Sequence, residues 1–142
     1  MAFKITATSA AQGGYSEGFE LDDKIVKSVS FKTDTPDDSN SRTGDVGVIV
    51  TIMGIMSQKQ ETLEETKKVA KWSLEKTTPY LNVVIQHIKS GFMMREYTLT
   101  QAFVVDYIEE FQDAQGDGTF TLIIKQQNQY IEDVGVEGGY QV

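Results

Sequence analysis

Four acidic residues and two glycines stand between two segments that are rich in β-branched and aromatic residues. Glu109 and Glu110 precede the stretch DAQGDG, residues 113–118. This composition is compatible with a calcium loop, with a pair of catalytic carboxylates, or with a turn between two strands. An EF-hand loop that began at Asp113 would place Ile124 at its twelfth position, where calcium requires a bidentate acid. The calcium interpretation therefore fails at its most important ligand.

A catalytic pair of carboxylates needs two environments that separate the pKa values of the two groups. Glu109 and Glu110 are adjacent, and adjacent residues of a strand point to opposite faces. Gly116 and Gly118 permit positive φ, and alternating patterns flank them on both sides. The sequence therefore predicts a hairpin, with Glu109 and Glu110 on a solvated edge or as candidate subunit contacts instead of catalytic groups.

His87 is the only histidine, and the chain contains no cysteine. His87 therefore cannot form a standard zinc site, because the chain offers no cysteine and no second histidine as ligands. No serine lies in a recognisable nucleophile elbow for a catalytic triad. The residues predict no catalytic site, no metal site and no cofactor. We interpret His87 as a packed or half-exposed structural residue, and the two GGY motifs as parts of flexible ends.

The chain has 142 residues, with 21 acids against 13 bases and a formal net charge of −8. This charge repels phosphate backbones and disfavours nucleic acid binding. No apolar run is long enough to span a bilayer, and the first residues lack the apolar core of a signal peptide. We expect one domain over residues 1–142, with flexible ends at about 1–18 and 131–142, that assembles in the cytoplasm.

The first third of the chain predicts two strands separated by a loop. Residues 25–31 alternate between apolar and polar side chains, which indicates a strand. Residues 33–45 contain no apolar residue except proline, and a surface loop of this length is usually either disordered or functional, for example in binding or subunit contact. Residues 46–56 are apolar on both alternating faces. This strand should be covered on both sides, by the rest of the chain or by another subunit.

The clearest helix pattern lies in residues 78–91. Thr78 can cap the helix, Pro79 suits its first position and Gly91 suits its end. The apolar stripe of this predicted helix consists of Leu81, Val84, Ile85 and Ile88.

The segment before this helix allows two interpretations. Thr62 and Glu65 have the spacing of a capping box, which indicates a short helical turn in a charged bend. Ala70, Trp72 and Leu74 alternate with polar residues and favour a strand. A helical interpretation of the same segment is also possible, with the stripe Leu63, Thr66, Lys67, Ala70 and Leu74.

Residues 92–111 predict two strands or one long bent strand, and residues 118–126 predict another. The resulting fold class is mainly β: a small antiparallel β-barrel of six to eight strands with one amphipathic α-helix and a long extended loop.

The order of these parts resembles the haemolysin-coregulated protein (Hcp) and phage tail tube family. The features that carry the resemblance are Thr78 and Pro79 before the predicted helix 80–89, the A-x-V centre at Ala102 to Val104, and the final strand 120–125. Some short relatives carry the label of a membrane-associated protease. No protease site is visible in this sequence.

The resemblance implies a tube subunit that forms hexameric rings, which stack into the inner tube of a contractile injection system or phage-tail-like particle. Its implied partners are copies of itself, sheath and baseplate proteins, and cargo in the lumen, with no membrane insertion. Residues 33–45 would then reach an adjacent ring or subunit, through the polar residues Asp34, Asp37, Asp38 and Arg42. The alternatives are a monomeric β-barrel binding module and, with less support, a hydrolase.

Overall fold

The computed structural model describes residues 2–10, 17–34, 47–57, 59–77, 79–113, 117–126 and 135–141. Within these residues the chain forms nine strands and one helix, so the predicted mainly-β class with a single helix is confirmed. The elements are β1 (Ala2–Ser9), β2 (Phe19–Leu21), β3 (Val26–Asp34), β4 (Gly47–Met56), α1 (Gln60–Ser73), β5 (Leu81–Lys89), β6 (Phe92–Phe111), β7 (Gly118–Gln126), β8 (Gly135–Glu137) and β9 (Tyr140–Gln141).

The strands form one antiparallel sheet in the order β2-β1-β5-β6-β7-β4-β3, with β8 and β9 added along β6. The two ends of this sheet, β2 and β3, are consecutive in the chain. They are joined by a tight turn in which the Asp22 carbonyl accepts hydrogen bonds from the N–H groups of Ile25 and Val26. The sheet therefore curls back on itself. No ladder joins β2 to β3 in the described part of the chain, so the barrel stays open at this seam.

Strand β6 is 20 residues long and belongs to two parts of the sheet. Its first half pairs with β5, its second half pairs with β7, and Ala102 is paired with both Leu81 and Gln126. At the junction Gln101 has a positive φ of 57°. Its N–H group donates to Oδ1 of Asn82 at 3.1 Å, which satisfies a backbone donor that the bend removes from the ladder.

The core lies between the inward faces of these two parts. On one side are Ile5, Leu21 and Ile85, and on the other are Ile52 and Leu122, all of them buried. Inward residues recur at every second position of β4 and β7, as the two-residue period of a strand requires.

Helix α1 packs one side against β2, β4 and β6 through Thr62, Thr66, Val69 and Trp72. The Trp72 indole N–H donates to the Pro79 carbonyl at 2.7 Å, and the indole ring contacts Phe19. The prediction of a strand over Ala70 to Leu74 was therefore wrong, and the segment is helical. The predicted helical stripe was wrong as well, because only Thr66 of its residues belongs to the buried face. In the described part of the chain no helix has the length and apolarity needed to cross a bilayer.

The predicted helix over residues 78–91 was also wrong, because its central part is strand β5. Leu81, Val83 and Ile85 are buried and face the core at every second position, while β5 pairs with β1 and β6 along its length. A helix would have left the β-branched residues of this segment crowded and the neighbouring strands unpaired.

Both chain ends contain paired strands. Residues 2–9, which we expected to be flexible, form β1 between β2 and β5. Strands β8 and β9 pair with the first half of β6. Gly138 lies between them with φ 156°, and a Cβ at this position would collide with the Met94 carbonyl oxygen. The second GGY motif therefore makes a close backbone approach to β6.

Candidate assembly surfaces

Four strands form a section of the sheet whose outward side faces away from the core. We call β3, β4, β7 and residues 103–111 of β6 the four-stranded section. Adjacent strands are antiparallel, and cross-strand partners point to the same face. One outward row therefore runs across all four strands through Ser28, Met53, Thr121 and Ile108.

The four-stranded section has two open edges. Strand β3 pairs with β4 alone, and residues 103–111 of β6 pair with β7 alone within the described ranges. One edge of β6 pairs with β5, but this pairing ends at Ala102, so the same edge is open from residue 103 onward in the described part of the chain. Each open edge presents backbone N–H and C=O groups that can pair with another strand. Both edges are nine residues long, since β3 has nine residues and 103–111 spans the same number.

The outward face of the section is partly apolar. Val48, Val50 and Ile52 of β4 face the core, whereas Met53 is exposed and Ile49 and Ile55 are half-buried on the other side. A groove of about 350 Å³ runs over this face between Met53, Ile55, Ile108 and Thr121. The apolar pattern on both faces is thus present along β4, and the residues that the structure describes cover its outward side only in part.

The predicted hairpin at DAQGDG is confirmed by the pairing of β6 with β7, in which Phe111 is opposite Gly118. Residues 114–116 of the turn lie outside the described ranges. Glu109 is opposite the buried Phe120 and half-buried itself, whereas Glu110 is opposite Thr119 and exposed. The two glutamates point to opposite faces, so they cannot act together on one substrate.

Tyr107 fixes the position of Glu109. Its hydroxyl group donates to Oε1 of Glu109 at 3.1 Å. Burial raises the pKa of Tyr107, and the negative charge of Glu109 raises it further. The phenol therefore remains protonated and keeps its role as a donor at physiological pH.

Phe111 is exposed over 70% of its surface although its ring lies against Gly118. A Cβ at Gly118 would stand 2.6 Å from the Phe111 ring, so the glycine makes room for the aromatic side chain. Large aromatic residues that are held in place yet exposed are common anchors of protein interfaces. One signal of this surface is visible in the sequence: no lysine or arginine occurs between Arg95 and Lys125.

The predicted loop residues are only partly described. Asp34 is the last residue of β3 and pairs with Gly47. Asp37, Asp38 and Arg42 lie outside the described residues. Asp34 therefore lies in β3, which β4 and β7 separate from the strand that carries Glu109 and Glu110.

His87 stacks against Phe3, with ring centroids 4.5 Å apart and an interplanar angle of 16°. This is the packed position that we expected. No group of three metal-ligating side chains occurs within the ranges that the structure describes.

Neither the comparison with protein-family models nor the comparison with curated proteins finds a match. Solved structures do match over nearly the whole chain. A crystal structure of an Hcp protein has a TM-score of 0.56 at 11% identity and covers 98% of this chain and 99% of its own. The Hcp1 protein of Flavobacterium johnsoniae has a TM-score of 0.51 at 19% identity and covers 97% and 98%.

A third match is a chain in the six-fold symmetrised baseplate of the anti-feeding prophage, with a TM-score of 0.54 at 14% identity. It covers 96% of this chain and 92% of the prophage chain. These identities are low, so what the three structures share with this chain is the fold.

Proposed function

Because this chain has the fold of the Hcp tube proteins, we propose that it is a structural, non-enzymatic tube subunit that assembles with copies of itself into rings. The observation that carries the proposal is the four-stranded section with its two open edges of equal length. A monomeric protein would normally protect such edges. A subunit of a ring instead pairs one edge with the opposite edge of its neighbour.

The strand directions agree with this pairing. Three antiparallel steps lead from β3 through β4 and β7 to β6, so β3 and β6 run in opposite directions. Rotation of a copy about an axis roughly parallel to the strands preserves these directions. The β3 edge of one copy then meets the β6 edge of the next copy in antiparallel orientation. Such a heterologous contact closes into a ring when the rotation angle between neighbouring copies is a whole fraction of a full turn.

The finer parts of the proposal follow from the structural neighbours. Six copies form each ring, in keeping with the six-fold symmetrised baseplate that contains one neighbour. The rings stack into a tube, and its partners are sheath and baseplate proteins and cargo in the lumen. The assembled particle forms in the cytoplasm and operates outside it.

Val105 provides a direct test of the edge pairing. It lies at a β-bulge in the open edge of β6 and is 49% exposed. We expect Val105→Lys to leave the subunit folded and to convert rings into monomers, because a lysine on a strand edge opposes pairing with a second chain. Size-exclusion chromatography with light scattering at millimolar protein measures the mass, and negative-stain micrographs show the rings.

Met94→Lys is the matched control for Val105→Lys. Met94 is similarly exposed and lies in the same strand, but in the half that has β5 on one edge and β8 and β9 on the other. Rings should persist in this variant. Rings that also persist in Val105→Lys would exclude the β6 edge from assembly, and a wild-type protein that stays monomeric would overturn the proposed function.

The loop after β3 is proposed to connect successive rings through Asp34, Asp37, Asp38 and Arg42. Deletion of residues 35–42 spares Asp34 and its pairing with Gly47, so the domain should remain folded. We expect single rings of the deletion variant in place of stacked tubes. Tubes of unchanged length in electron micrographs would contradict this role of the loop.

A further inference from the structure

The two open edges of the four-stranded section carry opposite charges on the outward face. On the β3 edge the outward side chains, all exposed, are Ser28, Ser30 and Lys32. On the β6 edge the outward side chains, also exposed, are Asp106, Ile108 and Glu110. Lys27 is the extra residue of a bulge in β3 and lines the groove on the same face. One edge is therefore basic and the other is acidic.

These edge charges form no ion pair within the described part of the subunit, where the one ion pair lies in α1. Lys32 is opposite Ile49 of β4, and Asp106 is opposite Ile123 of β7. The hairpin of β6 and β7 cannot neutralise its own acids, because residues 96–124 contain no lysine or arginine. A second copy can supply the missing partners, since its other edge carries the opposite charge.

The two faces of the strands restrict how these edges can pair. Residues directly opposite each other in an antiparallel ladder share one face, and a shift by one residue turns every side chain to the other face. Because the core side of each subunit is already packed, outward residues of β3 have to be opposite outward residues of β6. Registers that keep most of both edges paired therefore differ in steps of two residues. They place Ser30 opposite Asp106, Ile108 or Glu110.

The middle one of these three registers is the one that places a lysine directly opposite an acid. In this register Lys32 lies opposite Asp106, and such a pair of opposite charges stabilises a ladder. Lys27 lies beside Glu110, since the adjacent Ser28 is then opposite that acid. A shift by two residues in either direction places an uncharged residue opposite Lys32 and leaves both acids without a lysine directly opposite.

The core side of the sheet favours the same register. Phe31 and Tyr107 point to this side, are partly buried against the core and become directly opposite each other. Phe31 is also stacked on Tyr97 of its own chain, with ring centroids 4.2 Å apart, so its position at the edge is fixed. A cross-strand pair of aromatic residues adds to the stability of the ladder.

We propose that residues 28–32 of one copy pair antiparallel with residues 106–110 of the next, and that Lys32 forms an ion pair with Asp106 across the junction. Both segments are regular, since the bulges of β3 and β6 lie outside them. This inference rests on the proposed ring assembly and specifies how its edges align. Each subunit turns its basic edge toward one neighbour and its acidic edge toward the other. The attraction weakens as salt concentration rises.

Cysteine cross-linking tests the register, because the chain contains no cysteine of its own. In Ser30→Cys with Ile108→Cys the two Cα atoms are directly opposite, about 4.5–5.5 Å apart, which is within the range for a disulfide. Mild oxidation should therefore link subunits into covalent chains on a denaturing gel. Strands β4 and β7 separate the two positions within one subunit, so every such disulfide has to join two copies.

Two further variants report the other registers. Ser28→Cys with Ile108→Cys forms disulfides after a shift in one direction, and Ser30→Cys with Glu110→Cys forms them after a shift in the other. We expect much less cross-linking in both, because diagonal positions are about 7–8 Å apart. Wild-type rings together with stronger cross-linking in either of these variants would overturn the proposed register and leave the tube function standing.

Charge reversal tests the ion pair. Lys32→Asp and Asp106→Lys should each raise the protein concentration at which rings form by about fivefold, because like charges then face each other at every junction. The two changes together in one chain should restore assembly, since each junction again joins opposite charges. Lys89→Asp is the control for Lys32→Asp, because Lys89 is exposed and opposite Phe92, at the end of β6 remote from its open edge.

Light scattering over a dilution series measures ring formation, and far-ultraviolet circular dichroism should show that all variants are folded. Failure of the double variant to recover would overturn the ion pair. Wild-type rings without cross-links in any of the three cysteine pairs would overturn the register. A wild type that remains monomeric would overturn the proposed function and this inference together.

Discussion

Replacement of Trp72 by alanine will lower the free energy of unfolding by about 3–5 kcal/mol, the range for removal of a large buried aromatic side chain. Trp72 is fully buried, contacts Phe19 and fastens α1 to the sheet. Alanine also leaves the Pro79 carbonyl without the indole donor that binds it at 2.7 Å. Trp72→Phe keeps most of the packing and removes this hydrogen bond, so its loss should be smaller, about 1–3 kcal/mol.

Urea denaturation measures these differences. Trp72 is the only tryptophan, so unfolding has to be followed by circular dichroism instead of tryptophan fluorescence. Leu74→Ala is the control, because Leu74 lies at the end of the same helix and is largely exposed. It should change stability by less than about 0.5 kcal/mol. Equal losses in Trp72→Ala and Leu74→Ala would mean that α1 does not use Trp72 as its main contact.

Gly54→Ala should be the most destabilising single-methyl substitution in β4, with a loss of about 3 kcal/mol at the upper end of the range for overpacked cores. A Cβ at Gly54 would collide with the Ile25 carbonyl oxygen and stand 2.6 Å from the ring of Phe120. The Ile25 carbonyl cannot move away freely, since it accepts a hydrogen bond from the Ile55 N–H at 2.9 Å.

Gly135→Ala is the control for Gly54→Ala. Gly135 is also in a strand, and a Cβ there would meet the Thr98 Cβ at 3.5 Å, an ordinary contact distance. Thermal unfolding of both variants should therefore show a large decrease in Tm for Gly54→Ala alone. A wild-type Tm in Gly54→Ala would show that the Ile25 carbonyl and the Phe120 ring can move away from residue 54 without loss of stability.

The β-strand patterns were the most predictable part of the fold. Residues 26–34 and 118–126 alternate clearly, residues 47–56 form a short apolar run rich in β-branched residues, and the turn chemistry of Gly116 and Gly118 located the hairpin. Helix α1 was harder because half of its buried face is threonine. The hydroxyl groups of Thr62 and Thr66 donate hydrogen bonds to carbonyl oxygens one turn earlier, at 2.8 Å each. These polar side chains can therefore be buried without leaving a hydroxyl group unpaired. A hydrophobic pattern cannot reveal such a face.

Strand β5 was misassigned for the opposite reason. Leu81, Val83, Val84, Ile85 and Ile88 satisfy both a helical stripe and a strand alternation, and Pro79 suits the start of either element. Pairing with β1 and β6 decides between the two, and that pairing is set by residues far away in the chain.

The candidate assembly surfaces depend on long-range order in the same way. Glu109 and Glu110 could be assigned to a hairpin from local sequence alone. The open edges of β3 and β6 could not, because an edge is defined by which strand is absent beside it. The exposure of Phe111 could not be predicted either. An alternating pattern assigns a residue to one face of a strand, but it does not show whether the core covers that face along the whole strand.

Strand β6 also sets how accurately the domain must fold. At about 3.3 Å per residue its 20 residues extend over roughly 65 Å. If β6 paired with β5 one residue out of register, its pairing with β7 would shift as well. The side chains of both halves of β6 would then point to the opposite face of the sheet. A folding intermediate with this register error thus loses stability in both parts of the sheet. Correct pairing of one half therefore favours correct pairing of the other.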